Sequence, residues 1–350
     1  MEIESHNITI MKPILVDALY INSGGGLSIL RRLIDSLKTA GVAFVFIRDQ
    51  RCPVLESESS AREVIVMKPS LKERHRYYKT HKQSFHSILC FGNVPPTVKM
   101  SCRVYTYFHN LSVLKTPNTY SSRRKILFAL KRIMIKMLSK NTDVWIVQTS
   151  NTEKMVKKYI GNRQKPFYIY PIYNLPEIYI ESDKRTRNDY LFIGDYTYSK
   201  GHDVLLRAWE KLHEMGKHFI LNLTVNRRPA TEPFYIKMET AINNGVPIIN
   251  HGVIPFEKVC ELYAKSKAMV YPSQLESLGL GIVEGISAGC DVITSDLPFA
   301  YSICKPSEVF DPFSEDSIVK AVLRYEEGNS PKSELTIHDC VHELITLLKS

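Results

Sequence analysis

Glu276 and Glu284 stand eight positions apart, with Gly279 and Gly281 between them. The apolar run Ala268-Met-Val-Tyr271 and the turn residues Pro272 and Ser273 precede them. Such a run reads as a buried strand that ends at a loop. Ile282, Val283 and Ile286 suit a helix packed on a sheet. The order is then strand, glycine loop, helix N-terminus. The first N–H groups of a helix are unpaired and carry partial positive charge, so they attract phosphate, and glycine lets a diphosphate come close. Glu276 falls in the loop and Glu284 about two turns into the helix. An ionised carboxylate accepts two hydrogen bonds, which suits the paired hydroxyls of a sugar or a ribose. On its own, the stretch equally suits an amphipathic helix with a solvated glutamate, so the rest of the chain must decide.

Two further places could bind a ligand. The strand-like Pro13-Ile-Leu-Val-Asp17 leads into Ser23-Gly24-Gly25-Gly26, followed by Leu27, Leu30, Leu33, Ile34 and Leu37 at helical spacing. This is a second anion-ready helix start, although its glycines do not follow the dinucleotide spacing. His109 ends the strand-like Val104-Tyr-Thr-Tyr-Phe108, and the carboxyl edge of a parallel sheet is where ligands bind.

These residues need two domains to position them, and 350 residues suffice for two. Apolar residues make up 44% and charged residues 23%, as in globular proteins. No apolar run approaches the roughly 18–20 residues of a membrane span, and no basic-then-apolar leader opens the chain. Seven scattered cysteines without a C-x-x-C pair argue for reduced thiols in a cytoplasmic setting, not a disulfide frame or a zinc site. The formal charge of +10 fits nucleic acid, an anionic membrane or anionic substrates. The basic runs belong to no recognised nucleic-acid module, so no nucleic-acid partner is expected.

Strand-like and helix-like segments alternate through both halves, which implies parallel sheets. The basic segment from Lys68 to His86, including Arg74, reads as a solvated face. Between Arg123 and Lys140 an apolar stripe (Ile126, Leu127, Leu130, Ile133, Met134, Met137, Leu138) is flanked by lysines and arginines. The stripe is assigned first to the core, as in most amphipathic helices, and second to an anionic membrane surface. Residues 1–175 read as an N-terminal domain, 176–188 as a charged linker with Pro176, and 189–334 as a C-terminal domain. Residues 335–350 form a terminal helix.

The Glu276–Glu284 stretch resembles the E-x7-E motif of family 4 retaining glycosyltransferases. Phe192-Ile-Gly194 with Lys200-Gly201, His251-Gly252, Val270-Tyr-Pro272-Ser273 and Phe108-His109-Asn110 resemble other motifs of that family in the same order. The resemblance implies the α/β GT-B fold, two Rossmann-like domains facing each other across a deep cleft, with the terminal helix crossing back to the first. It implies that Glu284 holds the ribose and that Glu276 faces the donor sugar. Gly279, Leu280 and Gly281 would contact phosphate and sugar, Lys200 would neutralise the leaving diphosphate, and Gly25, Gly26 and His109 would face the donor and acceptor. One position departs from the pattern. Asp195 stands where the family commonly has an arginine, and it would repel a diphosphate. Arg227 and Arg228, just past the strand ending at Val225, are candidates to replace that charge.

The function expected is a retaining hexosyltransferase of surface polysaccharide or glycolipid assembly. It would use a nucleoside diphosphate sugar as co-substrate and no cofactor. No D-x-D spacing appears, so no metal is expected. The acceptor would be a glycan or a lipid-linked molecule at the inner face of the cytoplasmic membrane, with peripheral contact to anionic lipid. The alternatives are a degenerate GT-B binding or scaffold subunit and a GT-B phosphorylase or epimerase.

Overall fold

A computed structural model of the chain describes residues 12–116, 122–161, 165–175 and 189–350. The linker expected at 176–188 lies outside the described residues. The described residues sort into two compact units. The first gathers those within 12–114, 122–174 and 339–350, and the second those within 115–116 and 175–338.

In the first unit, strands and helices alternate as β1 (Ile14–Asp17), α1 (Gly24–Thr39), β2 (Phe44–Asp49), β3 (Glu63–Met67), α2 (Leu71–Thr80), β4 (Ser87–Cys90), β5 (Arg103–Phe108), α3 (Ser122–Leu138), β6 (Val144–Val147), α4 (Ser150–Ile160) and β7 (Phe167–Ile169). The sheet runs in the order β3-β2-β1-β4-β5-β6-β7, and every paired neighbour is parallel. The central strands β1, β4 and β6 are buried at all their positions. Their near-continuous apolar runs are the sequence form of strands covered on both faces. Strand order reverses between β1 and β4, which opens a crevice at their carboxyl ends.

Arg74 belongs to α2, yet it is buried rather than part of a solvated face. Its guanidinium donates to Asp17 Oδ2 at 2.7 Å and to the Val94 and Pro95 carbonyls at 2.8 and 2.9 Å. Tyr78 donates to the same Asp17 oxygen. A buried aspartate needs such partners. Removing the cation would strand the charge at a cost of about 3–5 kcal/mol. The network holds α2 against the end of β1 and fixes the loop that leaves β4.

The second unit repeats the pattern with β8 (Asp189–Phe192), α5 (His202–Glu214), β9 (Ile220–Leu223), α6 (Glu232–Asn243), β10 (Ile248–Asn250), α7 (Phe256–Lys265), β11 (Ala268–Tyr271), α8 (Leu280–Ser287), β12 (Asp291–Ser295), α9 (Pro298–Tyr301), β13 (Cys304–Lys305), β14 (Glu308–Phe310), α10 (Glu315–Glu326) and β15 (Glu334–Leu335). Its parallel sheet has the order β10-β9-β8-β11-β12-β14, and β13 pairs antiparallel with β15. The reversal here falls between β8 and β11.

The last helix, α11 (Val341–Lys349), belongs to the first unit. It buries Val341, Leu344, Ile345 and Leu348 and packs on α1 and β4. Ser87 and Tyr105 donate to the carbonyls of Leu348 and Leu347 at 2.6 and 2.9 Å. The helix is shorter than the sequence suggests. Glu334–Leu335 is a strand, so Ile337 is not part of the apolar helical face.

α3 corrects the sequence reading more deeply. Ile126, Leu127, Leu130, Ile133 and Met137 are each between 55% and 66% exposed. The side of α3 turned to the protein instead carries buried Ile135, with Lys131 and Arg132 half-buried beside it. Lys131 Nζ lies 5.7 Å from the centre of the Tyr20 ring, and Arg132 donates to the Val113 carbonyl at 3.4 Å. Both cations point their long stems inward, so five of the seven apolar stripe residues face out and only Met134 and Leu138 are half-buried. No helix among the described residues is long and apolar enough to cross a membrane.

Candidate functional site

In the second unit, the sequence-predicted residues gather at the crevice between β8 and β11. A short turn at Tyr198–Lys200 follows β8. Gly201 then starts α5 with φ +74°, a conformation that glycine adopts without strain. A Cβ at Gly201 would lie 2.3 Å from the Pro272 carbonyl oxygen, so only glycine lets this turn close on the end of β11. Gln274 N–H donates to the Ser199 carbonyl at 2.7 Å and ties the two loops together.

This closure delivers Lys200 to the carboxylate side. Lys200 Nζ lies 2.6 Å from Glu276 Oε1 and 3.1 Å from the Tyr271 hydroxyl, which itself donates to Glu276 Oε1 at 3.1 Å. Burial works against the Lys200 ammonium, but Glu276 and Tyr271 outweigh it and hold the proton more tightly than in an ordinary lysine. The triangle therefore fixes the Lys200 ammonium, paired with the Glu276 carboxylate, at the carboxyl edge of the sheet.

Gly279, with φ +66°, caps α8, and Glu284 sits in the second turn of that helix, nearer its start than the sequence suggests. Glu284 Oε2 accepts from the Tyr263 hydroxyl of α7 at 3.0 Å. Burial pushes the Glu284 carboxyl up to about 7, against the pull of that hydrogen bond and of Lys200. Gly281 lies under both tyrosines. A Cβ there would stand 3.1 Å from Tyr271 Cε2 and 3.5 Å from the Tyr263 hydroxyl. Leu280 opens α8 and Gly281 follows it, so their N–H groups lie at the helix start, where the helix itself offers them no carbonyl partner.

Asp195 follows β8, and its Oδ2 lies 2.5 Å from Arg228 Nη2. Arg228 thus neutralises the aspartate that departs from the family pattern. Arg227 turns the other way, onto Glu232 and Glu239 of α6, each at 2.8 Å.

In the first unit, Gly25 and Gly26 lie in the first turn of α1. A Cβ on Gly26 would stand 3.0 Å from His109 Cε1, so this glycine and this histidine are neighbours. The His109 ring stacks on Phe91 at 5.6 Å, and its backbone N–H donates to Asn93 Oδ1 at 2.8 Å. Its Nε2 is buried and has no hydrogen-bond partner among the described residues. Burial, helped by Lys131, lowers the ring to about 4, so the imidazole is neutral at physiological pH. A neutral ring with an unused nitrogen can accept or donate one hydrogen bond to a ligand.

Sequence reasoning missed Tyr263, Tyr271, Asn93 and Lys131 as parts of these sites. Tyr263 lies 21 positions before Glu284 on a different helix, and no local pattern marks it. Tyr271 reads simply as the last residue of a buried strand, and Lys131 as one more cation of a basic helix.

Two parallel sheets with reversals at β1/β4 and β8/β11, in two α/β units, define the GT-B fold. Solved structures agree. The chain superposes on sucrose-phosphate synthase from Thermosynechococcus elongatus with a TM-score of 0.71 at 17% identity, covering 90% of each chain. It superposes on WaaG, a glycosyltransferase involved in lipopolysaccharide biosynthesis, with a TM-score of 0.66 at 18% identity, covering 89% of this chain and 90% of that one. Residues 178–337, which hold the Lys200–Glu276–Glu284 cluster, match the model for glycosyl transferases group 1. The serotype-specific mannosyltransferase WbdA of Escherichia coli is 27% identical over 150 residues, 41% of this chain. The match spans 18% of that longer protein.

Proposed function

We propose that the protein is a retaining glycosyltransferase that moves a hexose-type sugar from a nucleoside diphosphate sugar to a glycan or lipid-linked acceptor. It would act in the cytoplasm, in surface polysaccharide or glycolipid assembly. The single observation that carries this reading is the cluster of Lys200, Glu276 and Glu284 around the start of α8, inside the segment that matches the model for glycosyl transferases group 1. The related mannosyltransferase and the lipopolysaccharide enzyme of the same fold support the acceptor class.

The roles are those that the resemblance implies, and the geometry supports them. Glu284, once ionised, accepts the two ribose hydroxyls of the nucleotide. Lys200 and Tyr271 both engage Glu276 Oε1, so Oε2 is the oxygen that meets the donor sugar. As the anomeric bond loosens, negative charge collects on the leaving diphosphate. Lys200 and the N–H groups of Gly279, Leu280 and Gly281 would meet that charge, and groups placed in advance at developing charge lower the barrier. Arg228 cancels Asp195 and removes the repulsion that an unpaired aspartate would exert. In the first unit, His109 beside Gly25 and Gly26 forms a second place that can hold a ligand. The cations of the chain take the place of a metal ion, in keeping with the missing D-x-D spacing.

Purified protein is incubated with a panel of nucleoside diphosphate sugars and lipid-linked or glycan acceptors, and transfer and donor affinity are both measured. Glu284→Ala should weaken nucleotide binding as well as turnover. Glu276→Ala should lower turnover more than affinity. Unchanged rates in both variants would refute the mechanism, and donor binding without any transfer would favour a binding subunit.

A further inference from the structure

The outward stripe of α3 has no use in the chemistry above. Ile126, Leu130, Ile133 and Met137 recur every three or four residues, and Leu127 widens the same face. All five are more than half exposed. Single exposed apolar residues are ordinary, but five large ones on one face of one helix form a patch that marks an interaction site. The helix cannot turn this face inward, because its opposite side is already committed. Ile135 is buried, Arg132 is bonded to Val113, and Lys131 lies over Tyr20.

Charge identifies the occupant. From Ser122 to Lys140 the sequence holds Arg123, Arg124, Lys125, Lys131, Arg132, Lys136 and Lys140, and no aspartate or glutamate. Arg123, Lys125, Lys136 and Lys140 are exposed along with the stripe. An apolar face edged by cations alone, with no acidic group to select a protein partner's lysines or arginines, matches a surface that is apolar inside and anionic at its rim. That is the interface of an anionic bilayer, where such a helix lies flat with its apolar side among the acyl chains and its cations at the headgroups.

We propose that α3 docks the protein on an anionic lipid surface through Ile126, Leu127, Leu130, Ile133 and Met137, with Arg123, Lys125, Lys136 and Lys140 at the phosphates. The helix spans about 25 Å, long enough to lie along a membrane surface rather than to cross it. The inner side of the same helix carries Lys131, which touches Tyr20 beyond the end of β1 and acts electrostatically on His109. Docking therefore sets the first unit's ligand crevice close to the lipid surface. The docking itself stands whether or not the transferase reading holds.

The full chain is floated with vesicles of phosphatidylcholine alone and of phosphatidylcholine mixed equally with phosphatidylglycerol. Binding to the anionic vesicles is expected, weakened by salt because screening reduces the headgroup attraction. The triple variant Ile126→Ser, Leu130→Ser, Ile133→Ser should lose at least about tenfold in partitioning while keeping its melting temperature, since the three side chains lie outside the core. Lys125→Glu with Lys136→Glu should lower binding to the anionic vesicles and leave the neutral ones unaffected. Failure of the unaltered protein to bind anionic vesicles overturns the proposal, as does binding that survives the triple variant. A dimer in sedimentation that the triple variant dissociates, without vesicle binding, would also overturn it and assign the patch to a second copy of the chain.

Discussion

Replacing Glu284 by glutamine should make the protein more stable and a poorer nucleotide binder at the same time. The carboxyl of Glu284 is raised from the ordinary 4.5 to about 7 because burial disfavours its charge. The folded protein therefore holds this proton more tightly than the unfolded chain does. Stability from this group is fully present below about pH 4.5, falls as pH rises, and is lost above about pH 7. A tenfold change in proton affinity corresponds to about 1.4 kcal/mol, so the ionised side chain costs the fold about 3 kcal/mol at pH 8. Glutamine occupies the same space, carries no charge and can still accept from the Tyr263 hydroxyl. Glu284→Gln should thus gain up to about 3 kcal/mol at pH 8, less the difference between a charged and a neutral hydrogen bond, about 1 kcal/mol. At pH 4 the two proteins should be alike. The chain has two tryptophans, Trp145 in the first unit and Trp209 in the second. Urea unfolding followed by fluorescence in a Trp145→Phe background therefore reports the unit that holds Glu284. Donor affinity of the same variant, measured by calorimetry at pH 8, should fall, since the amide offers the ribose hydroxyls only one acceptor oxygen. A variant that is no more stable than its parent at pH 8, or whose stability difference does not change with pH, would refute the assignment of a buried, costly carboxylate.

Two other substitutions test how the site is held. Gly201→Ala combines a left-handed backbone with a Cβ that would meet the Pro272 carbonyl, so it should destabilise the second unit by at least about 1–3 kcal/mol and lower turnover by displacing Lys200, as read by urea unfolding and initial rates. Arg228→Ala should weaken donor binding because it leaves Asp195 uncompensated, whereas Arg227→Ala, which breaks only contacts to Glu232 and Glu239, should not. Both pairs are exposed, so folding stability should change by less than about 0.5 kcal/mol in either variant, and equal donor affinities would show that Asp195 does not face the diphosphate.

The alternation of strand and helix, the glycine turns and the two glutamates were all legible in the linear sequence. They are local signals, because strand burial, helix starts and turn chemistry each depend on a handful of neighbouring residues. The motifs at Lys200-Gly201, Phe108-His109-Asn110 and Glu276–Glu284 could be lined up with a family for the same reason. Local reading failed where a residue's role depends on what lies across space. Arg74 looks like part of a solvated basic run, but Asp17, 57 positions earlier, draws it into the interior. Asp195 looks like a defect until Arg228, on the neighbouring strand's loop, is seen beside it.

Helical spacing shows that a helix has an apolar face and a basic face, but not which one meets the protein. For α11 the apolar face went inward, as its pattern suggests, because α1 and β4 offered apolar surface to cover it. For α3 the inward side is set by Ile135 and by two cations whose alkyl stems pack while their heads reach the Tyr20 ring and the Val113 carbonyl. The sequence by itself determined the parallel α/β architecture and the residue types that meet at the crevice between β8 and β11. Only the tertiary structure decided which charges are paired, how far burial raises Glu284, and that the apolar stripe of α3 is left to solvent. Pairing and burial are properties of neighbours brought together from distant parts of the chain, and no local pattern records them.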